Sequence, residues 1–340
     1  MKVFPFHAIT VVLVLAVVLV GCMTDEPGVP APTSSTSGPL MLQKKAAAPA
    51  AVTSGLTGAD MLTALNVRLA EQGQACRVLM MEYITSPRSD QVGTTIFSKD
   101  VGNKQLSAHW VPFDPNRRGD RYITYAIDHT EGTATGGVTA AQTEASIDHA
   151  MGTWNSQTCS TIPIVKVDLG NLDLGYVQYL TGFGGVPGWG ADITDAGWLP
   201  GAFFDVIATD GSQYILGVTF TFIWTDGGNP TDIDNNGKAD VAFREIYYNN
   251  AFAWSISGPE WYDPEIDVES IVLHETGHGL SQAHFGKMFV DASDKEPPYS
   301  IKHLHFAPRA VMNAVYWDTQ RELLGPDVGG HCSIWASWPN

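Results

Sequence analysis

The sequence predicts an α+β fold, and three stretches carry that prediction. Residues 122–127 (YITYAI) alternate as a strand, residues 139–155 follow as an amphipathic helix, and residues 162–167 return as a strand. That order implies a parallel crossover. Residues 217–224 (GVTFTFIW) form a strong second strand signal, with Val218, Phe220 and Phe222 alternating against Thr219, Thr221 and Ile223. Val268–Gly279 reads as a helix, with Asp267 at its N-cap and Glu269 in its first turn.

The remaining elements follow in chain order. Leu62, Leu65 and Leu69 mark one face of a helix over 61–70 that Gly73 stops, and residues 77–85 and 94–97 read as short strands. Residues 56–115 are therefore expected to form a small α+β N-terminal subdomain, or a propeptide, ahead of a main domain at 116–340. Residues 112–120 are a Pro/Asn/Gly break between the two. In the 139–155 helix Thr139 is the opening residue, and Ala145, Ile147, Ala150, Met151 and Trp154 recur on one face. Residues 170–211 are glycine-rich and read as irregular. No repeat of solenoid or propeller period is present.

The first 22 residues carry Lys2, an apolar run over 9–20 and Leu19-Val20-Gly21-Cys22. The run is short for a membrane span and suits a signal peptide over 1–21. Its end resembles a bacterial lipobox, which implies cleavage before Cys22 and a lipid on that cysteine; an ordinary secretory signal is the alternative. Residues 22–55 are rich in Pro, Ala, Ser, Thr and Gly, and read as a disordered tether with a reach of about 30 Å. The expected location is the bacterial cell envelope, or the extracellular space if Cys22 carries no lipid. With 36 acidic against 19 basic residues the net charge is −17. No basic cluster exceeds Lys44-Lys45 and Arg117-Arg118, which excludes nucleic acid as a partner. A monomer is expected.

The chemistry concentrates in HETGHGLSQAH, 274–284. Positions i and i+4 share a helix face, so His274 and His278 can bind one ion. Glu275 is placed beside the first ligand, suited to take a proton from water rather than to bind metal. Gly277 and Gly279 are poor helix-interior residues, so the helix should end soon after His278 and turn to bring His284 back. The flanking Val268, Ile271, Val272 and Leu273 mark a buried helix whose inward polar groups need a metal or a partner. Zinc is the predicted ion, with His274, His278 and His284 as ligands and Glu275 as general base.

His274–His284, followed by Ala310-Val311-Met312-Asn313-Ala314-Val315-Tyr316, resembles the metzincin zinc endopeptidases, and among them the matrixins. Gly277 matches the inner glycine of HExGHxxGxxH, and Val311, Met312 and Tyr316 match the methionine turn in order. The tail Arg321, Leu324, Asp327, Gly330 and Trp335 is similar to the last helix of that domain. The resemblance covers roughly 120–340. It implies a twisted mixed sheet, an active-site helix, Met312 beneath the zinc, and Ala314, Val315 and Tyr316 walling a substrate pocket. The implied activity is cleavage of peptide bonds in extracytoplasmic proteins. Two positions depart from the pattern. Ser281 stands at the turn glycine, and Pro326 stands where matrixins carry the first of two acids. Cys159 and Cys332 both lie in the catalytic domain so delimited and are the expected disulfide, leaving Cys76 free, packed or zinc-blocking.

Other readings stand beside this one. Glu296 is an alternative third ligand, and His303 and His305 could hold a second ion. Asp232, Asp234, Asn236, the Lys238 carbonyl and Asp240 follow the spacing of an EF-hand-like calcium loop, with Phe243 at the position of the closing glutamate and Glu245 as its substitute. From a different class, the chain reads as an anchored binding or adhesion protein with structural zinc and calcium.

Overall fold

The computed structural model describes residues 57–89, 91–97, 107–130, 132–260, 263–290 and 304–339. The expected signal peptide, Cys22, the tether, Glu296 and His303 lie outside these residues. The chain order is α1 (Gly58–Glu71), β1 (Cys76–Thr85), β2 (Thr95–Phe97), β3 (Ala108–His109), β4 (Ile123–Ile127), α2 (Ala140–Asn155), β5 (Ile164–Lys166), α3 (Tyr176–Thr181), β6 (Ile193–Leu199) and α4 (Gly201–Ile207). It continues with β7 (Ile215–Asp226), β8 (Asn229–Pro230), β9 (Ala239–Asn249), β10 (Trp254–Ser255), β11 (Ile266–Asp267), α5 (Val268–Gly279), β12 (Lys287–Val290), β13 (Leu304–Ala307) and α6 (Gly325–Trp335).

The main sheet runs β2-β1-β7-β9-β6-β4-β5, so the fold is α+β with a mixed sheet. β5, β4, β6 and β9 are mutually parallel, and β7 and β1 run antiparallel to their neighbours. The α2 connection between β4 and β5 is the crossover expected from the 122–167 pattern. Thr139 caps α2, its side chain accepting from Gln142 N–H while the Gln142 side chain accepts from Thr139 N–H.

Helices cover both faces. Against one face pack α2 and α5, burying Ile147, Met151 and Trp154 against Ile271 and Val272, with Ile246 and Tyr248 of β9. Against the other pack α1, α3 and α4, where Leu62, Leu65, Tyr176, Phe203 and Phe204 meet Phe220 and Phe222 of β7. Each fully buried aliphatic or aromatic side chain contributes about 1.5–3 kcal/mol, so both helical layers stabilise the sheet between them.

Two features differ from the sequence reading. The 170–211 stretch is not irregular: it contains α3, β6 and α4. β6 is buried along its whole length, and Asp195 and Gly197 within it break any apolar alternation. Residues 57–97 also join the main sheet, because β1 pairs with β7 from Cys76↔Trp224 to Thr85↔Ile215. The described residues after Gly38 fall in one compact unit. No helix among the described residues is long and apolar enough to cross a membrane.

Candidate metal centre

α5 holds the centre by its N-cap and its packing. The Asp267 side chain accepts from Ser270 N–H at 3.0 Å and is paired with Arg321 at 2.6 Å. A side-chain cap of this kind contributes about 1 kcal/mol. Trp154 Nε1 donates to the Leu273 carbonyl at 3.0 Å, docking the helix against α2. Every residue of α5 is buried.

His274, His278 and His284 converge. His278 Nε2 lies 3.1 Å from His274 Nε2 and 3.2 Å from His284 Nε2. The opposite nitrogens are committed elsewhere: His274 Nδ1 donates to the Val311 carbonyl at 2.7 Å, and His278 Nδ1 to the Gln282 carbonyl at 2.8 Å. Carbonyls only accept, so these rings carry their protons on Nδ1 and present Nε2 lone pairs to each other. Lone pairs that close repel unless a cation lies between them. Tetrahedral zinc with Zn–N near 2.0–2.1 Å spaces its ligand nitrogens about 3.3 Å apart, so the donor set fits zinc. Burial holds His274 and His284 well below the usual histidine range, which favours the neutral, ligating form.

Glu82, on β1, was missed by sequence reasoning. Its Oε2 lies 3.3 Å from His278 Nδ1, and its Oε1 accepts from Thr95 Oγ1 at 3.1 Å. Burial lowers the His278 pKa, but Glu82, Glu275 and the Gln282 carbonyl together outweigh it and the net shift is upward. Nothing local marks Glu82, because 196 positions separate it from His278 along the chain.

Glu275 is fully buried. Its Oε2 accepts from Thr219 Oγ1 of β7 at 2.6 Å, and its Oε1 has no hydrogen-bond partner. Gly217 of β7 permits this approach, since a Cβ there would lie 2.9 Å from Glu275 Oε1. Burial pushes the Glu275 carboxyl up to about 7.

Met312 sits against α5, in a turn fixed by Asp327. Asp327 Oδ2 accepts from Val311 N–H at 2.9 Å, and Oδ1 from Met312 N–H at 3.1 Å. One residue thus links Asp327 to His274, through Val311 N–H on one side and Val311 C=O on the other. The following residues are engaged by the N-terminal segment. Val315 bridges to Thr85 in parallel, and the Ala314 carbonyl accepts from Gly93 N–H at 2.9 Å. Tyr316 is buried, its N–H donating to the Thr85 carbonyl at 2.9 Å.

The other expected site residues are placed as follows. Asp232, Asp234 and Asp240 bring carboxylate oxygens within 4.8 Å of one another, and Asn236 joins them through its side-chain bond to Asp234. Glu245 does not close that loop: it is buried, accepting from Tyr176 and Val177 N–H at the start of α3. Lys238 N–H donates to the Asn236 side chain at 2.8 Å. His305 is exposed on β13 and is not one of the three clustered histidines. Cys159 and Cys332 are disulfide-bonded, tying the segment after α2 to α6. Cys76 is free and buried, and burial pushes its thiol up to about 12, which marks a packed cysteine rather than a reactive one. Comparisons with protein-family models and with curated proteins found no match to this chain.

Proposed function

We propose that this chain is a zinc-dependent endopeptidase of metzincin, matrixin-like architecture. The observation that carries the reading is the convergence of three Nε2 atoms, two of them locked into the ligating tautomer, with Glu275 one residue after the first ligand. The antiparallel β7, the helix α5 and the Met312 turn around them support the same architecture.

Held by His274, His278 and His284, zinc would supply the Lewis acidity that activates water and polarises a scissile carbonyl. Glu275 takes the proton from the attacking water and delivers it to the leaving amine. A carboxyl raised toward neutrality by burial suits that role, because it exchanges a proton easily near pH 7. Thr219 fixes one carboxylate oxygen and leaves Oε1 free to receive the proton. Asp327 and Val311 hold the His274 ring in its orientation. Ala314, Val315 and Tyr316 form the wall of the substrate pocket in this reading.

The substrate is a protein or peptide outside the cytoplasm. The Cys159–Cys332 disulfide supports an oxidising compartment, and the Cys22 lipid would anchor the chain to a membrane of the cell envelope. Asp232, Asp234, Asn236, Lys238 and Asp240 are proposed to hold a structural calcium ion.

A second reading is an anchored binding or adhesion protein with structural zinc, and the complete burial of His278 and Glu275 favours it. Glu275→Ala separates the two. In a peptidase the variant keeps its zinc while cleavage of casein falls by at least a hundredfold. Cleavage at the parental rate would sink the peptidase reading.

A further inference from the structure

α5 ends in a left-handed turn that a serine occupies. Ser281 N–H donates to the His278 carbonyl at 3.0 Å and Gln282 N–H to the Gly277 carbonyl at 2.9 Å, the paired bonds of a Schellman cap. The residue between them needs positive φ, and Ser281 adopts φ 68°. A side chain there is disfavoured relative to glycine. The turn also matters chemically. It presents the Gln282 carbonyl that orients His278, and it returns the chain to His284.

Arg244 of β9 reaches this turn from beneath. It is 1% exposed, and its Nη1 donates to Ser281 Oγ at 2.9 Å and to the Gly279 carbonyl at 2.8 Å. Its Nε donates to Thr221 Oγ1 at 3.1 Å, which fixes the guanidinium plane. Trp110 Nε1 also donates to Gly279 O, and Trp335 Nε1 to Leu280 O, so the last carbonyls of the helix are satisfied by side chains. Glu82, Arg244, Ser281 and Gln282 line one small cavity, and Glu82 also reaches His278. A buried guanidinium is costly unless its donors are used, and here three of its bonds go to the turn and to the strand beside it.

We infer that Arg244 is a positioning residue for the metal centre: its bond to Ser281 holds a strained serine in the turn that sets His278 and His284. The inference rests on the metal-centre reading. In this chain, a buried arginine does through a hydrogen bond what glycine would do through conformational freedom.

Two substitutions at one position test it without removing a buried charge. Ser281→Ala keeps the unfavourable φ and loses the bond to Arg244. Ser281→Gly loses the bond and relieves the φ. Zn2+ affinity, measured by competition with a chromophoric chelator, should fall about tenfold in Ser281→Ala, within the range for lost supporting contacts at metal sites. It should stay within about threefold of the parent in Ser281→Gly. The Co2+ ligand-field bands of Ser281→Ala should change in intensity as His284 loosens, and those of Ser281→Gly should not. Arg244→Met should weaken Zn2+ binding more in the parent than in the Ser281→Gly background. A parent chain that binds Zn2+ while both Ser281 variants match each other overturns this inference alone. A parent that binds no Zn2+ overturns the metal-centre reading and this inference with it.

Discussion

A side-chain carbon on Gly277 would lie 2.3 Å from the sulfur of Met312. The same carbon would lie 2.9 Å from the Trp154 ring. α5 and the methionine turn therefore touch through a gap that only a glycine leaves.

Gly277→Ala follows from that contact. Helix propensity favours alanine by about 1 kcal/mol. Overpacking against a sulfur and a buried indole costs about 1–3 kcal/mol, so the clash wins. The variant should unfold at lower urea, with its Zn2+ affinity reduced as the Met312 turn is pushed off α5. A variant more stable than the parent would show that the turn moves freely.

The disulfide closes a long loop, its cysteines separated by 173 in sequence. Cys159→Ser with Cys332→Ser should cost about 2–5 kcal/mol, in line with native disulfides generally. Trp335 and Asp327 sit on the tied helix α6, so zinc affinity should fall in the same variant. Denaturant melts read alongside chelator competition measure both; an unchanged midpoint would count against the link.

Asp195 of β6 gives a second pH dependence, and its charge adds to burial in raising the Glu275 carboxyl. Burial first, and then Asp148, push its carboxyl up to about 7, against the Tyr248 hydroxyl bond and Lys166. The folded state therefore keeps its proton to higher pH than the unfolded chain, whose value is 3.8. Its contribution is whole below about pH 4 and is lost as pH rises through about 7. Asp195→Asn should remove that loss. Between pH 5 and pH 8 the parent should lose on the order of 1–4 kcal/mol relative to the variant. Urea melts at the two pH values test this, and parallel slopes would refute it.

Calcium should act on stability rather than on chemistry. At about a hundred times its Kd, Ca2+ should stabilise the chain by roughly 2.7 kcal/mol. A calcium-selective chelator should reverse the gain, and Asp234→Asn should abolish it. A melting temperature indifferent to Ca2+ would remove the calcium site from the proposal.

The sequence made some of this legible and hid the rest for physical reasons. α5 was readable to its bounds because Asp267 caps it and an apolar run follows. α2 was readable through Thr139 and its recurring apolar face. β6 and β9 were not, because their buried polar residues break the pattern by which strands are recognised. Asp192, beside β6, is satisfied by Arg117 at 2.9 Å, and Arg244 by groups on β7 and at the end of α5. Such partners are distant in the chain and leave no local mark. His274 and His278 were legible because helix spacing aligns them, and His284 because the helix had to end at its glycines and turn back. Glu82, Thr219 and Arg244 were not, since only the folded sheet brings them to the site.

The pairing of β1 with β7 has a further consequence. The backbone groups beside Glu275 on that edge of β7, and the carbonyl of Ala314, are already bonded to residues 76–93. An extended peptide that approached Glu275 along this edge would meet a ligand that is part of the same molecule. Tethered segments compete at effective concentrations on the order of millimolar. Under the proposed peptidase reading, an outside peptide would reach this edge only by displacing residues 76–93.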